Sequence, residues 1–142
     1  IYQPTYIQKS IDTLIEKKVK CVGSNQMIFY HQSKDDKRLT IIRCQAKRQI
    51  HEATLCFTKK YFNSMIGFKK NSRGEGTGLI DHNDKNVENI PIDDLMVCVA
   101  HRWQTLSKDP FYEYTQHVQP YENRDVIKKH YDLLEKILNT DN

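Results

Sequence analysis

The hydrophobic pattern predicts a helix at the start of the chain. In "TYIQKSIDTLIEKK", residues 5–18, apolar side chains stand four, seven and eight residues after the first one and form one face of a helix. The members of this face are Ile7, Ile11, Leu14 and Ile15. Pro4 and Thr5 stand directly before it, as is typical of a helix start.

Three strand-like runs follow the predicted helix. They are "QMIFYH" (26–31), "RLTIIRC" (38–44) and "EATLCF" (52–57). The polar break "QSKDDK" separates the first two, which predicts that they form a hairpin. The next segment, "TKKYFNSMIGFKK" (58–70), places apolar residues at 61, 65 and 68 on one face and therefore favours a helix.

The rest of the chain reads as a loop and then as helices. Residues 71–86 hold three of the five glycines, and they lack the glycine patterns that bind phosphate groups. Pro91 fits the first position of a helix, and Asn123 fits the cap of the last one, over 123–138. The buried face of the first of these helices is predicted to hold Ile92, Leu95, Met96, Val99, Trp103 and Leu106.

These patterns predict an α+β protein with two parts. Residues 1–57 would form a small mixed part with a helix and a β-hairpin. Residues 58–142 would form a mainly helical, three-helix region with a flexible loop at 71–89. No run approaches the roughly 20 apolar residues of a membrane-spanning helix, so a membrane partner is not expected.

Charge is distributed unevenly along the chain. Residues 1–56 carry ten Lys and Arg against five Asp and Glu, and residues 57–73 carry five basic groups and no acid. Residues 74–142 carry seven basic groups against thirteen acidic ones. The first 73 residues therefore sum to +10 and the rest to −6, which suggests a basic end that faces a polyanion, with ordinary surface variation as the alternative.

Cysteine and histidine spacing gives weak candidates for a metal site. Cys44, His51 and Cys56 lie on or between predicted strands, and Cys98 and His101 stand three residues apart on a predicted helix. Structural zinc needs four N or S ligands at close quarters, and these five residues do not follow a standard pairing. The wide spacing of the four cysteines favours free thiols, and two disulfides of a secreted protein are the alternative.

No local motif pairs a serine or cysteine with a catalytic base, so we predict neither an enzyme nor a cofactor. The two adjacent carboxylates in "IDD", residues 92–94, suit the N-terminal end of a helix better than acid–base chemistry.

The stretch "KKYFNSMIGFKK" resembles the first helix of HMG-box DNA-binding domains, and more closely the alpha-box of fungal mating-type regulators. "IPIDDLMVCVAHRWQTLS" is similar to the second helix of that family, and Tyr114 and the "KDPF" turn also fit it. The last predicted helix would be the third, long arm. The resemblance covers residues 58–138.

The resemblance implies a minor-groove DNA interface. In such proteins basic side chains contact phosphates, polar side chains touch base edges, and an apolar wedge kinks the duplex. Asn63 and Ser64 would touch the bases, and Ile66 would be the wedge. The phosphate contacts would come from Lys59, Lys60, Lys69, Lys70 and Arg73. The alternative is an ordinary core segment with lysines at its rim.

The sequence therefore predicts a nuclear, non-enzymatic transcription regulator that binds and bends double-stranded DNA. Its acidic C-terminal helices would pack against the rest or contact a protein partner. Two alternatives stay open. One is a structural or adaptor subunit of a larger protein or RNA–protein assembly, and the other is a secreted, disulfide-bonded binding protein.

Overall fold

A computed structural model describes residues 1–45, 49–64, 85–102, 104–105, 107–128, 130–131 and 134–136. Within these residues seven strands form two sheets. The elements are α1 (Tyr6–Glu16), β1 (Cys21–Gly23), β2 (Gln26–His31), β3 (Leu39–Arg43), β4 (Cys56–Phe57), α2 (Lys59–Ser64), β5 (Val87–Asn89), β6 (Val97–Ala100), β7 (Val118–Pro120) and α3 (Asp125–Lys128). Short 3₁₀ helices span Glu52–Thr54, Ile92–Asp94 and Asp109–Phe111.

The chain divides into two compact units. One unit contains residue 1, residues 28–42 and residues 97–142, and we call it the four-stranded unit. The other contains residues 2–27 and 43–96, and we call it the three-stranded unit. Within the described residues no helix is long and apolar enough to cross a membrane.

The three-stranded unit has the strand order β4-β1-β5. The central strand β1 pairs antiparallel with β4 and parallel with β5. Cys21 and Val22 of β1 are fully buried, as is Val87 of β5. Ile50 and Tyr61 join Cys21 and Val87 in one apolar cluster, so the start of α2 is packed onto this sheet.

The four-stranded unit has the strand order β6-β2-β3-β7. Strand β2 runs parallel to β6, and β3 runs antiparallel to β7. Five successive residues of β2, from Met27 to His31, are buried, because a central strand covered on both faces has no solvent side.

A segment after β6 lies against β2 and β3 within the four-stranded unit. The ring of Phe111 stacks on Phe29 at 4.6 Å between centroids. His31 Nε2 lies 3.0 Å from the carbonyl oxygen of Phe111 and 2.9 Å from Thr40 Oγ1. Because a carbonyl oxygen only accepts, we place a hydrogen on Nε2. The His31 side chain is therefore buried, and it contacts Thr40 of β3 and the backbone of Phe111.

The first helix and the hairpin strands lie where the sequence predicts them. Helix α1 occupies most of residues 5–18, and β2 and β3 match the runs at 26–31 and 38–44. The third run, 52–57, is only partly a strand, since it holds the 3₁₀ helix Glu52–Thr54 before β4.

The predicted three-helix C-terminal region is wrong. Val97–Ala100, expected inside a helix, form β6, and Val87–Asn89, expected in the loop at 71–89, form β5. Val118–Pro120 form the edge strand β7. The predicted last helix is represented by α3 and by helical residues at 131 and 134–136. The described residues are therefore organised mainly as two β-sheets, and they do not form the three-helix arrangement that the HMG-box resemblance implies.

The error at β6 has a physical cause. β6 pairs in parallel with residues 28–31 of β2, which are buried, and the end residues Val97 and Ala100 of β6 are also buried. A strand in that environment shows a continuous apolar run instead of the alternation that marks a half-exposed strand. The run 95–100 therefore fits a helix face and a buried strand equally well by periodicity alone.

Candidate nucleic-acid interface

Helix α2 is fixed to the sheet at its first turn. The amide of Thr58 donates to the carbonyl oxygen of Lys20 at 2.9 Å, which joins the chain before α2 to the chain before β1. Thr58 Oγ1 then accepts from the amide of Tyr61 at 3.2 Å. A side-chain oxygen at this place satisfies an amide that has no partner within the helix.

Replacing Thr58 with alanine should lower the free energy of unfolding by about 1 kcal/mol, the usual effect of losing such a cap. Thr58→Ser keeps the acceptor oxygen and is the matched control. Urea unfolding followed by circular dichroism measures both variants. Equal stability of Thr58→Ala and the wild type would show that the bond to Tyr61 contributes nothing.

The side chains of α2 divide into two faces. Tyr61 is buried, and Phe62 is half-buried with its ring stacked on Phe57 at 5.1 Å between centroids. The remaining side chains of the helix are exposed, and they are Lys59, Lys60, Asn63 and Ser64. The aromatic residues thus anchor the helix, and every polar residue predicted to contact DNA on this helix faces solvent.

The two exposed polar side chains differ in what they can still do. Ser64 Oγ donates its hydrogen to the carbonyl oxygen of Tyr61 at 2.7 Å, so only its lone pairs remain for a ligand. The amide of Asn63 carries both donor and acceptor atoms. Asn63 is therefore the better candidate for contact with a base edge.

The strand register gathers lysines at one end of the three-stranded sheet. Cys21, at the start of β1, pairs with both Phe57, at the end of β4, and Val87, at the start of β5. The carbonyl oxygen of Asn86 also accepts from the amides of Lys20 and Cys21. The chain segments next to these strand ends carry Lys17, Lys18, Lys20, Lys59, Lys60 and Lys85, and we call these six the lysine cluster.

The lysine cluster is exposed and positively charged. None of its six members makes an ion pair in the part of the chain that the structure describes. Lysines of the four-stranded unit behave differently, since Lys34 pairs with Asp109 at 2.7 Å and Lys37 pairs with Glu135 at 2.8 Å. Glu16, the last residue of α1, is the acid that precedes the cluster along the chain. Lysines at one end of a sheet, without an acidic partner among the described residues, attract anions.

The structure places only part of the predicted interface. Lys59, Lys60, Asn63 and Ser64 lie on α2, whereas Ile66, Lys69, Lys70 and Arg73 fall outside the described residues. Sequence analysis did not single out the other four lysines of the cluster. Three of them, Lys17, Lys18 and Lys20, lie in the basic run "EKKVK" before the first strand, which could have identified them from sequence alone. The position of Lys85 depends on the parallel pairing of β5 with β1, which no local pattern indicates.

The metal candidates come together only as a pair. Cys44 Sγ and His51 Nε2 are 3.4 Å apart. The amide of Cys44 donates to Asn25 O at 2.7 Å, and that of His51 donates to Ser24 O at 2.8 Å, so neighbouring residues position both. Burial raises the pKa of the Cys44 thiol and lowers the pKa of His51, which favours the neutral form of each.

The other candidates do not complete a metal site. Cys98 lies on strand β6, which ends at Ala100, and not on the helix that was expected to bring Cys98 and His101 together. Among the described residues, no group of three or more His, Cys, Asp or Glu side chains is arranged to hold a metal ion. None of the four cysteines, Cys21, Cys44, Cys56 and Cys98, forms a disulfide in the structure.

Comparison of the chain with models of protein families, with curated proteins and with solved structures gives no match. The interface is therefore interpreted from its own geometry and charge.

Proposed function

We propose that this protein binds double-stranded DNA through the lysine cluster and the exposed face of α2. The observation that carries the proposal is the position of six exposed lysines, without ion pairs to described residues, on the chain segments beside one end of the three-stranded sheet. Lysine ammonium groups bind phosphates as point charges, and each contact releases counterions from the duplex. Such contacts give affinity for the DNA backbone without dependence on sequence.

Packing of the aromatic side chains favours a duplex over a single strand. Proteins that bind single strands present aromatic rings on which bases stack. In α2 the ring of Tyr61 is buried and one face of the half-buried Phe62 ring is stacked on Phe57, which leaves little aromatic surface on this helix for base stacking. Asn63 is the residue in α2 that could read a base edge within a groove. Bending would need an apolar wedge, for which Ile66 is the candidate from the sequence.

Fluorescence anisotropy with a labelled duplex, measured over a range of salt concentrations, tests the proposal. If all six lysines contact phosphates, the plot of log K against log salt should have a slope of about −5, since each contact contributes roughly −0.9. Lys59→Ala/Lys60→Ala should reduce the magnitude of this slope by about 2, and Lys20→Ala/Lys85→Ala by a similar amount. Asn63→Ala should alter sequence preference and leave the slope unchanged.

Lys128→Ala/Lys136→Ala is the matched control, because it removes the same charge from exposed positions of the four-stranded unit. Its affinity for the duplex should remain that of the wild type. Equal weakening in the control and in the cluster variants would show that binding follows net charge and not the cluster. Absence of salt-dependent affinity in the wild type would overturn the proposal, and tighter binding to a single strand of equal length would change the class of ligand.

A further inference from the structure

Helix α1 turns its most apolar residues toward solvent. Ile7 is 68% exposed, Ile11 is 43% exposed and Ile15 is 69% exposed, whereas the buried residue of the helix is Ser10. Ser10 satisfies its own hydroxyl by donating to the carbonyl oxygen of Tyr6 at 2.8 Å. The helix therefore packs onto its own unit through a narrow face and leaves an isoleucine ridge uncovered.

The spacing of this isoleucine ridge suits helix–helix packing. Residues four apart on a helix form the i±4n ridge, and two such ridges interdigitate at about −50° in the commonest class of helix packing in globular proteins. The ridge is also symmetric about its centre, with two equally exposed isoleucines on either side of the less exposed Ile11. A two-fold axis at Ile11 would bring each Ile7 toward Ile15 of the other helix.

Charges beside the ridge argue against a lipid surface. The neighbouring row on the helix is Gln8, Asp12 and Glu16, and Gln8 Nε2 donates to Asp12 Oδ1 at 2.8 Å. Two carboxylates next to the apolar residues are repelled by anionic headgroups, whereas helices that bind membranes place Lys and Arg there. Lys9 lies within the helix and Lys17 and Lys18 follow its last residue, so residues 6–18 carry three basic groups against two acidic ones. The segment is therefore nearly neutral, at +1, and meets its own copy without strong repulsion.

We propose that α1 pairs antiparallel with α1 of a second copy of this chain, with the two-fold axis at Ile11. Antiparallel pairing places Glu16, followed by Lys17 and Lys18, near the N-terminal end of the partner helix. The positive end of the helix dipole favours the carboxylate and disfavours the two ammonium groups, so this end contact adds little stability. The three isoleucines together expose less surface than two fully exposed isoleucines, far below the roughly 800 Å² per partner of a stable complex. The dimer is therefore weak, and its population depends on protein concentration.

Cysteine cross-linking tests both the pairing and its direction. Ile11→Cys should be cross-linked to itself by a short bismaleimide, because the two copies of residue 11 meet at the axis. Ile7→Cys and Ile15→Cys should each give little product alone and clear product when mixed. The wild type, which contains the four native cysteines, gives the background for every reaction.

Sedimentation equilibrium supplies the second readout. The mean mass of the wild type should rise between about 10 µM and about 1 mM, and Ile7→Ser/Ile15→Ser should remain a monomer over that range with an unchanged circular dichroism spectrum. Both positions are exposed, so the substitutions leave the core intact. Self-linking of Ile7→Cys and Ile15→Cys, without product from the mixture, would mean parallel helices and overturn the arrangement.

A constant monomer mass, with no product from Ile11→Cys above background, would overturn the pairing itself. Both experiments are done without DNA, so their outcome does not depend on the proposed function.

Discussion

Replacing Gly23 with alanine is expected to lower the free energy of unfolding of the three-stranded unit by about 3 kcal/mol, the upper end of the usual range for overpacking. A Cβ atom at this position would overlap Ile50 Cγ2 and would lie 2.9 Å from both Thr54 O and Thr54 Oγ1. Ile50 can move only by displacing buried neighbours, and Thr54 is fixed by hydrogen bonds to Ser24 N and His51 O, both 2.8 Å. Ile50 and Thr54 therefore cannot move away from the added Cβ atom without losing packing contacts or hydrogen bonds.

A double-mutant cycle separates this overlap from other effects of the substitution. Ile50→Ala removes the Cγ2 atom and should destabilise the protein by about 2–4 kcal/mol because it leaves a cavity. Gly23→Ala combined with Ile50→Ala should cost less than the sum of the two single changes, by at least about 1 kcal/mol. Urea unfolding followed by circular dichroism gives all four stabilities. Additivity within about 0.5 kcal/mol would show that the two residues do not compete for space.

Gly23 also connects the core to the proposed interface. Its carbonyl oxygen accepts from the amide of Ile90 at 2.7 Å, and its own strand pairs with β4 and β5. These pairings set the strand ends beside which the lysine cluster lies. Gly23→Ala should therefore weaken DNA binding only as far as it reduces the folded fraction, in contrast to the lysine variants.

The sequence predicted those elements that are specified by residues close together along the chain. The spacing of the isoleucines located α1, and the polar break between two apolar runs located β2 and β3. The lysines of α2 were found because they are contiguous with an aromatic segment. Each of these features depends on residues within about one or two turns of helix or one strand.

Features set by long-range pairing were missed. The apolar run of β6 predicts a helix as readily as a strand, because pairing with the buried strand β2 leaves no alternation of apolar and polar residues. Lys85 joins the cluster only through the parallel register of β5 and β1. The hydrophobic pattern also could not show that the apolar face of α1 is exposed to solvent. An apolar face shows that a helix has something to bury, but not whether its own chain covers that face.

The stability of the four-stranded unit is expected to fall as the pH drops below about 6.5, the pKa of histidine in an unfolded chain. Burial lowers the pKa of His31 in the folded protein, with Lys34 and Arg38 acting in the same direction, while the bond to Phe111 O and the charge of Asp36 oppose it. The unfolded chain therefore binds a proton that the folded chain does not, so this contribution is complete above pH 6.5 and is lost on acidification.

The slope from His31 is at most about 1.4 kcal/mol per pH unit, the value for one proton, and it applies between pH 6.5 and the lowered pKa of His31. His31→Gln should flatten the dependence, because its amide can still donate to Phe111 O but does not titrate. His51→Gln tests the same effect in the three-stranded unit, where burial also lowers the pKa of His51. His117→Gln alters an exposed histidine and serves as the control.

Urea unfolding between pH 5 and pH 7.5, followed by circular dichroism, measures these slopes above the range in which ordinary carboxylates titrate. Hydrogen exchange of the β2 and β3 amides assigns the loss of stability to the four-stranded unit. A slope in His31→Gln as steep as in the wild type would show that His31 does not stay neutral on folding. The contacts that surround it would then accommodate an imidazolium, with the carbonyl oxygen of Phe111 as the acceptor that stabilises its charge.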